Sequence, residues 1–451
     1  MAESARETRV LLVTMCVGYF LVLLDVTAMN VAVPRIGAEF AVGGGPLAWV
    51  VTGYSVPFAA LLLVAGATGD RIGHRPMVRA GLAVFGVASL GCALAPGVGW
   101  LIAARAVQGG GAALLLPGTL AVIAAAYPDP GARAKAIGLW AAIGGLALPA
   151  GPVLCGFLVT AAGWRSVFWL NLPIVVAASV VAAAVLPRDG GDRSRRPDWL
   201  GAVLGTACLG LLVAGVAESA WPIVALAVAA TAVFVVIERR AREPMLPLAL
   251  FRDRHFVLPN LGGLVMNGAT LGMMFLMTLY LQDVRGLDPL HSGLAILPEC
   301  LPLVLIPPFA GTLIARFGAT TIATFGLAGT AAGIALLTFA DATTPYVALL
   351  PALALWGIGL GTLTPALVSG AVSAVPPDRG GLASAVNNTA RQSGGALGTA
   401  AAAALAGPVA GAGFLAGFRL TALAAATICA ATAVATGLSA VASRRAAVAA
   451  S

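Results

Sequence analysis

The sequence predicts an all-α polytopic membrane protein, and three observations carry that reading. Hydrophobic residues make up 60% of the 451-residue chain and charged residues only 10%. The apolar residues fall in runs of about 20, long enough for bilayer-crossing helices and too long for barrel strands. The few charged residues lie mostly between those runs. Soluble domains carry roughly 25% charged residues, and disordered chains are polar, so both classes are excluded. The 56 glycines show no three-residue period, which excludes collagen.

Fourteen candidate spans follow in order. Span 1, Val10–Val33, follows Arg6 and Arg9. It is too long for a signal peptide, lacks a clear small-residue cleavage site, and leads into Asp25 and Asn30. It is therefore expected to remain as the first crossing. Trp49–Thr68, Met77–Ala95, Trp100–Ala125, Ala136–Ala162 and Val167–Leu186 complete the first six. Spans 7 and 8, Trp199–Val216 and Trp221–Ile237, are the shortest. Val257–Leu281, Gly293–Ala315, Thr320–Ala340, Val347–Val372, Leu382–Ala410 and Phe414–Val441 are the last six. No connection is long enough for a separate soluble domain.

The basic residues orient these spans. With the N-terminus inside, twenty fall on cytoplasmic segments, including Arg71, Arg75, Arg79, Arg188, Arg193, Arg195, Arg196, Arg242 and Arg379. Four, Arg35, Arg165, Arg285 and Arg419, fall outside. The asymmetry places both termini in the cytoplasm of a cell membrane. Trp49, Trp100, Trp164 and Trp221 then lie at the outer interface, where an indole ring is favoured. The net charge of +8 thus encodes orientation in a lipid bilayer and gives no support for nucleic acid. The six cysteines sit in apolar runs without C-x-x-C spacing, so neither a metal site nor a disulfide framework is expected.

An internal repeat organises the chain. Gly66-x-x-Gly69-Asp70-Arg71-Ile72-Gly73, between spans 2 and 3, and Gly311 to Gly318, after span 10, both fit G-x-x-x-x-R-x-G. Their equivalent places in the topology imply a duplication. Eight spans separate the copies where six-plus-six architecture has six, so two helices, spans 7 and 8, are inserted. The expected domains are a six-helix bundle at 1–187, a linker with two extra transmembrane helices at 188–255, and a second six-helix bundle at 256–451.

The Gly66–Arg75 segment resembles the signature loop of the major facilitator superfamily. The chain as a whole resembles its fourteen-span drug:proton antiporter branch, the EmrB/QacA type. Leu24 to Pro34 resembles that branch's first-helix motif, and Arg105-Ala106-Val107-Gln108-Gly109-Gly110-Gly111 its fourth-helix motif. Gly151-Pro152-Val153-Leu154-Cys155-Gly156 resembles the antiporter motif of span 5, and Gly163-Trp164-Arg165 through Asn171-Leu172-Pro173 is also similar. Three positions depart: Cys155 and Ala147 where the antiporter motif has glycine, and Ala315 where the first loop copy has Asp70. The resemblance implies a major facilitator fold of two six-helix bundles plus two inserted helices (14 transmembrane helices). It also implies proton-coupled export of a small amphipathic drug or natural product by alternating access. The proton gradient is then the energy source, no cofactor is required, and the chain is expected to act as a monomer. The motif containing Gly145, Gly151, Pro152 and Gly156 is implied to control leak and direction of transport.

Charges inside a bilayer are costly and mark function. Asp25 lies about 15 residues into span 1, roughly 22 Å along the helix. Arg105, Glu299 and Arg391 are the other intramembrane charges. Asp25 and Arg105 are expected to share a hydrated pocket. Proton uptake by Asp25 then loosens the pair; alternatively, the pair only locks two helices. Gln108, one turn from Arg105, either fixes the guanidinium or makes interhelical hydrogen bonds. Glu299 is either a second proton site or a wet cavity-rim residue. Asn387 with Arg391, and Asn388 with Gln392, form a polar stripe on span 13, for substrate contact or for helix packing. Asn30 joins this substrate-cavity set. Gly66, Gly69, Asp70, Arg71, Gly73 and Arg75 form a gating turn, where a carboxylate can cap a neighbouring helix. Met266, Met273, Met274 and Met277 line either an adaptable cavity or an ordinary packing face. An importer of a small metabolite is the alternative within transport. An enzyme or receptor would need clustered titratable groups, but His74, His255 and His291 are scattered, and no G-x-x-x-x-G-K-[ST] nucleotide loop is present.

Overall fold

The computed structural model describes residues 2–186, 198–241, 248–376, 380–407 and 413–450. Arg188, Arg193, Arg195, Arg196, Arg242 and Arg379 lie outside the described residues, as does the Asp70 side chain. Every regular element among the described residues is helical. They are α1 (Ala2–Phe40), α2 (Gly44–Ile72), α3 (His74–Ala93), α4 (Val98–Ala126), α5 (Pro130–Ala150), α6 (Gly156–Ala162), α7 (Arg165–Val185), α8 (Trp199–Ala217) and α9 (Trp221–Arg240). There follow α10 (Arg254–Leu279), α11 (Pro289–Cys300), α12 (Pro302–Leu305), α13 (Pro307–Phe317), α14 (Ala319–Leu336), α15 (Tyr346–Ser373), α16 (Gly380–Ala406) and α17 (Phe414–Ala450).

Helix occupies each of the fourteen apolar segments. Eleven helices are long and apolar enough to cross a membrane, or twelve if the bent α11–α13 stretch is one crossing. α8 is 19 residues long and contains no charged residue. α16 is outside the eleven because Asn387, Asn388, Arg391 and Gln392 dilute its apolar run.

Three segments expected as single spans are interrupted. Span 5 is α5 and α6 joined by a π turn at Gly151–Cys155. Pro152 has no N–H to give the regular ladder, so the backbone widens there. Span 9 ends in a second π turn at Tyr280–Val284. Span 10 bends by 61°, in a stretch where Pro298, Pro302 and Pro307 each remove a helix donor.

The helices group into two compact units. One comprises Met1–Gly215, Ala220–Met245 and Leu287–Leu294; the other comprises Val216–Ser219, Leu246–Gly286 and Ala295–Ser451. In the first, α4 packs on α2 and α3, α1 on α5, and α7 on α1 and α3. In the second, α15 packs on α12, α13 and α14, α10 on α16, and α17 on α10 and α14. Six helical positions therefore match six, and α8 and α9 stand outside the correspondence. The apolar window of α10 is 78% buried and that of α1 67%, against 17% for α9. Within their own units α1 and α10 are packed mostly out of reach of solvent, while α9 leaves most of its apolar side chains exposed.

The loop repeat is visible in the backbone. Gly73 has φ 92° and Gly318 has φ 86°, a region that side chains disfavour and glycine accepts. Each closes its helix by the same bond, Gly73 N–H to Gly69 O at 2.9 Å and Gly318 N–H to Ile314 O at 2.8 Å.

Candidate functional site

Glycine in α4 brings five helices within reach of one point. A Cβ on Gly109 would run into the backbone oxygen of Tyr54 on α2. A Cβ on Gly111 would lie 2.7 Å from the backbone nitrogen of Phe85 on α3. The close approach sets Arg105 and Gln108 of α4 opposite α1, α3 and α7.

There Arg105 Nη1 donates to Asp25 Oδ2, and the side chains are 1% and 0% exposed. The same nitrogen donates to Gln108 Oε1 at 2.8 Å, and Arg105 Nε donates to Val50 O at 3.2 Å. The second carboxylate oxygen, Asp25 Oδ1, accepts from Gln108 Nε2 at 3.1 Å and Asn171 Nδ2 at 3.3 Å. Both amides also donate to Ser89 Oγ, at 2.9 Å from Gln108 and 3.4 Å from Asn171. Tyr54 presents its ring 4.4 Å from the guanidinium carbon, a cation–π contact strengthened by exclusion of water. The site is thus closed rather than an open pocket. Its two opposite charges satisfy one another through charge-assisted bonds. Such pairs are held in place because removing either partner strands the other.

The remaining charged and polar positions are distributed as follows. Asn30 is buried on α1, and its Oδ1 has no hydrogen-bond partner among the described residues. Glu299 lies in the other unit, 2% exposed rather than at a wet rim, and accepts from the Cys300 thiol at 3.0 Å. It makes no ion pair among the described residues. Asn387 Nδ2 donates to Pro259 O at 3.1 Å, and Asn387 and Arg391 both face Gly263 of α10. Gln392 is buried with Oε1 unpartnered among the described residues; Asn388 is half-buried. Below this stripe, Gly394 and Gly398 press on the α10 backbone at Leu264 and Gly268, a small-residue interface. The four methionines of α10 are all buried, and Met273 lines a cavity of about 270 Å³ between α10, α16 and α17.

At the turn after α2, Gly66 meets open space, whereas a Cβ on Gly69 would press on His74 and Met77. Arg75 Nη2 reaches the Ala183 carbonyl of α7 at 3.0 Å, and Arg71 is half-buried in the last turn of α2. In the span 5 motif, Gly151 abuts Thr27 of α1, and Gly156 abuts the backbone of Pro289 and Leu290. Gly293 in turn abuts Pro152. Gly145 meets nothing within 4 Å; its neighbour Gly144 is the one pressed against the Tyr19 ring. Trp164 is 3% exposed.

Sequence reasoning did not find the roles of Ser89, Asn171, Tyr54 or Gly144. Only Asn171 carried a usable signal, as a lone carboxamide in an apolar run six residues from Arg165.

Residues 15–399 match the family description Major Facilitator Superfamily. The chain is 36% identical over 392 residues to "Multidrug resistance protein Stp" of Mycobacterium tuberculosis (strain CDC 1551 / Oshkosh), covering 85% of this chain and 73% of the other. It is 35% identical over 397 residues to "Methylenomycin A resistance protein" of Streptomyces coelicolor (strain ATCC BAA-471 / A3(2) / M145), covering 85% and 82%. A crystal structure of peptide transporter POT in complex with sulfate shares the fold, with TM-score 0.72 at 15% identity over 94% of each chain. With this match and the twofold helical correspondence, the chain belongs to the major facilitator superfamily of membrane transporters.

Proposed function

We propose that the protein is a proton-coupled exporter of amphipathic drugs or natural products, of the fourteen-span antiporter branch, with both termini cytoplasmic. The observation that carries this reading is the sealed network around Asp25. The names of relatives at 36% and 35% identity, a multidrug and an antibiotic resistance protein, support the cargo class.

Asp25 can report a proton because each of its oxygens already faces a donor. A proton on Oδ2 sets an O–H against Arg105. On Oδ1 it sets one against Gln108 and Asn171. Either way a partner must turn aside, and Arg105 is left as a buried charge without its counter-ion, which costs several kcal/mol. Proton occupancy thereby biases the conformation of the first unit. One proton crossing about 100 mV supplies about 2.3 kcal/mol, enough to sustain a roughly forty-fold cargo gradient. No cofactor enters this scheme. Glu299 serves as a second proton site, since protonation removes a charge that has no basic partner among the described residues. Asn30 in the first unit, and Asn388, Arg391 and Gln392 in the second, supply polar contacts to cargo, whereas Gln108 and Asn387 are taken up by the Asp25–Arg105 pair and by Pro259 O. The Gly66–Arg75 turn gates the inner face during alternating access, and the π turn at Gly151–Cys155 restrains leak.

The test is a toxicity panel in an efflux-deficient host. Protection by the wild type that Asp25→Asn abolishes supports the reading. No protection against any compound favours a proton-coupled importer instead.

A further inference from the structure

A clamp recurs at the end of each unit opposite the Gly73 and Gly318 turns. In the first unit, Arg165 Nη2 donates to Ala95 O, just past α3, at 3.0 Å. Arg165 Nη1 donates to Glu39 Oε1 at 2.5 Å, and Trp164 Nε1 donates to the other Glu39 oxygen at 2.7 Å. The Trp164 ring meets Phe40, the last residue of α1, at 5.8 Å. In the second unit, Arg419 Nε and Nη2 donate to Ala340 O, just past α14, at 3.1 and 3.0 Å. The Phe418 ring stacks on Tyr280, just past α10, at 5.4 Å. The sequences are Gly163-Trp164-Arg165 and Gly417-Phe418-Arg419. At matched places a Gly–aromatic–Arg triplet grips the carbonyl ending the third helix and the ring ending the first.

The triplet fixes a register. Six residues from Ala95 back along α3 is Ser89, and six from Arg165 along α7 is Asn171. Both lie about 9 Å from the clamp, so the two side chains meet at the same height, 3.4 Å apart. A slip of one residue turns either side chain by about 100° and removes it from Asp25. The same count in the second unit reaches Ile334 and Ala425, so the frame is shared and this polar set belongs to the first unit.

We propose that Arg165 is a positioning residue for proton binding: its clamp on Ala95 and Glu39 holds α1, α3 and α7 in the register that brings Asn171 and Ser89 to Asp25. Arg419 is the matching clamp of the second unit and has no part in that site. The inference rests on Asp25 being the proton site. The charged and titratable groups facing Asp25 are Arg105 from α4, Tyr54 from α2, Cys92 from α3 and Cys155 from the π turn. None of them is part of the clamp.

The experiment titrates the infrared band of protonated carboxyl groups in the full-length protein in lipid bilayers, with Asp25→Asn identifying the band of Asp25. Arg165→Gln is expected to raise its midpoint by about 0.5–1 pH unit, because losing a donor disfavours the ionised form. Arg165→Lys, which keeps the positive charge and the longer reach that Gln lacks, is expected to move it less, and Arg419→Gln not at all. The double exchange Glu39→Arg with Arg165→Glu is expected not to restore the wild-type midpoint, because a carboxylate cannot donate to Ala95 O. If Arg165→Gln does not accumulate, Glu39→Leu, which removes the shared acceptor, is expected to give the same upward shift. An unmoved band in Arg165→Gln or Glu39→Leu overturns the positioning role, as does full rescue by the exchange. The absence of any band sensitive to Asp25→Asn overturns the proton reading itself.

Discussion

Gln108 hydrogen-bonds both members of a buried ion pair: its oxygen accepts from Arg105 at 2.8 Å and its amide donates to Asp25 at 3.1 Å. One side chain, a single turn along α4 from Arg105, thus holds cation and anion together. Asn171 and Ser89 complete the arrangement from α7 and α3.

The pair is expected to be strongly coupled. Asp25→Asn or Arg105→Gln alone strands a buried charge or its donors and is expected to destabilise the protein by about 3–5 kcal/mol. The double variant is expected to cost less than the sum of the two. Thermal unfolding of the purified variants checks this, and simple additivity would contradict it.

Adjacent glycines in α5 are expected to behave oppositely. Gly144→Ala drives a methyl into the Tyr19 ring, which is stacked on Trp140 at 3.8 Å. The expected loss is about 1–3 kcal/mol, typical of overpacking. Gly145→Ala meets open space and is expected to be neutral or slightly stabilising. Expression level and thermal stability of the two variants decide.

The all-helical, membrane-spanning character of the chain was legible because long apolar runs are a direct consequence of the bilayer. The duplication was legible because Gly73 and Gly318 sit at turns that need positive φ, and such positions restrict residue choice. Asp25 and Arg105 stood out because a charge in an apolar run is rare. Ser89 did not, since a small hydroxyl costs little to bury and breaks no pattern. The π turn at Gly151–Cys155 and the bend in α11–α13 were equally hidden. Proline marks where a donor is lost, but neighbouring helices decide whether the chain widens, bends or runs on. Neither clamp was legible, and the likeness of Gly417-Phe418-Arg419 to Gly163-Trp164-Arg165 was hidden because Phe418 replaces tryptophan and no acid equivalent to Glu39 accompanies it.

The loop between α14 and α15 is expected to respond to acid. Asp341 is held below the usual carboxylate range by hydrogen bonds from the Thr343 hydroxyl, the Thr343 backbone and the Thr344 hydroxyl. A depressed folded value means the stabilisation is fully present above the unfolded value, near 3.9, and is lost as pH falls through the lower folded one. The protection of the Thr343 and Thr344 amides, their exchange relative to the intrinsic rate at the same pH, is therefore expected to hold at neutral pH and to fall only below about pH 4. Asp341→Asn is expected to speed exchange at neutral pH.

The turn glycines are expected to resist substitution alike. Gly73→Ala and Gly318→Ala each force a side chain to positive φ, at a cost of about 1–2 kcal/mol. Comparable losses of thermal stability check the equivalence. A tolerated Gly318→Ala beside a damaging Gly73→Ala would show that the second copy has lost its turn requirement.

The most direct test of proton coupling through Asp25 is flux driven by a pH gradient in proteoliposomes, using a cargo found by the toxicity panel. The wild type is expected to move cargo only when the gradient is imposed, and Asp25→Asn to lose that dependence while remaining folded. Gradient-driven flux at the wild-type rate in Asp25→Asn would show that the buried network is a helix lock and that the proton is carried elsewhere.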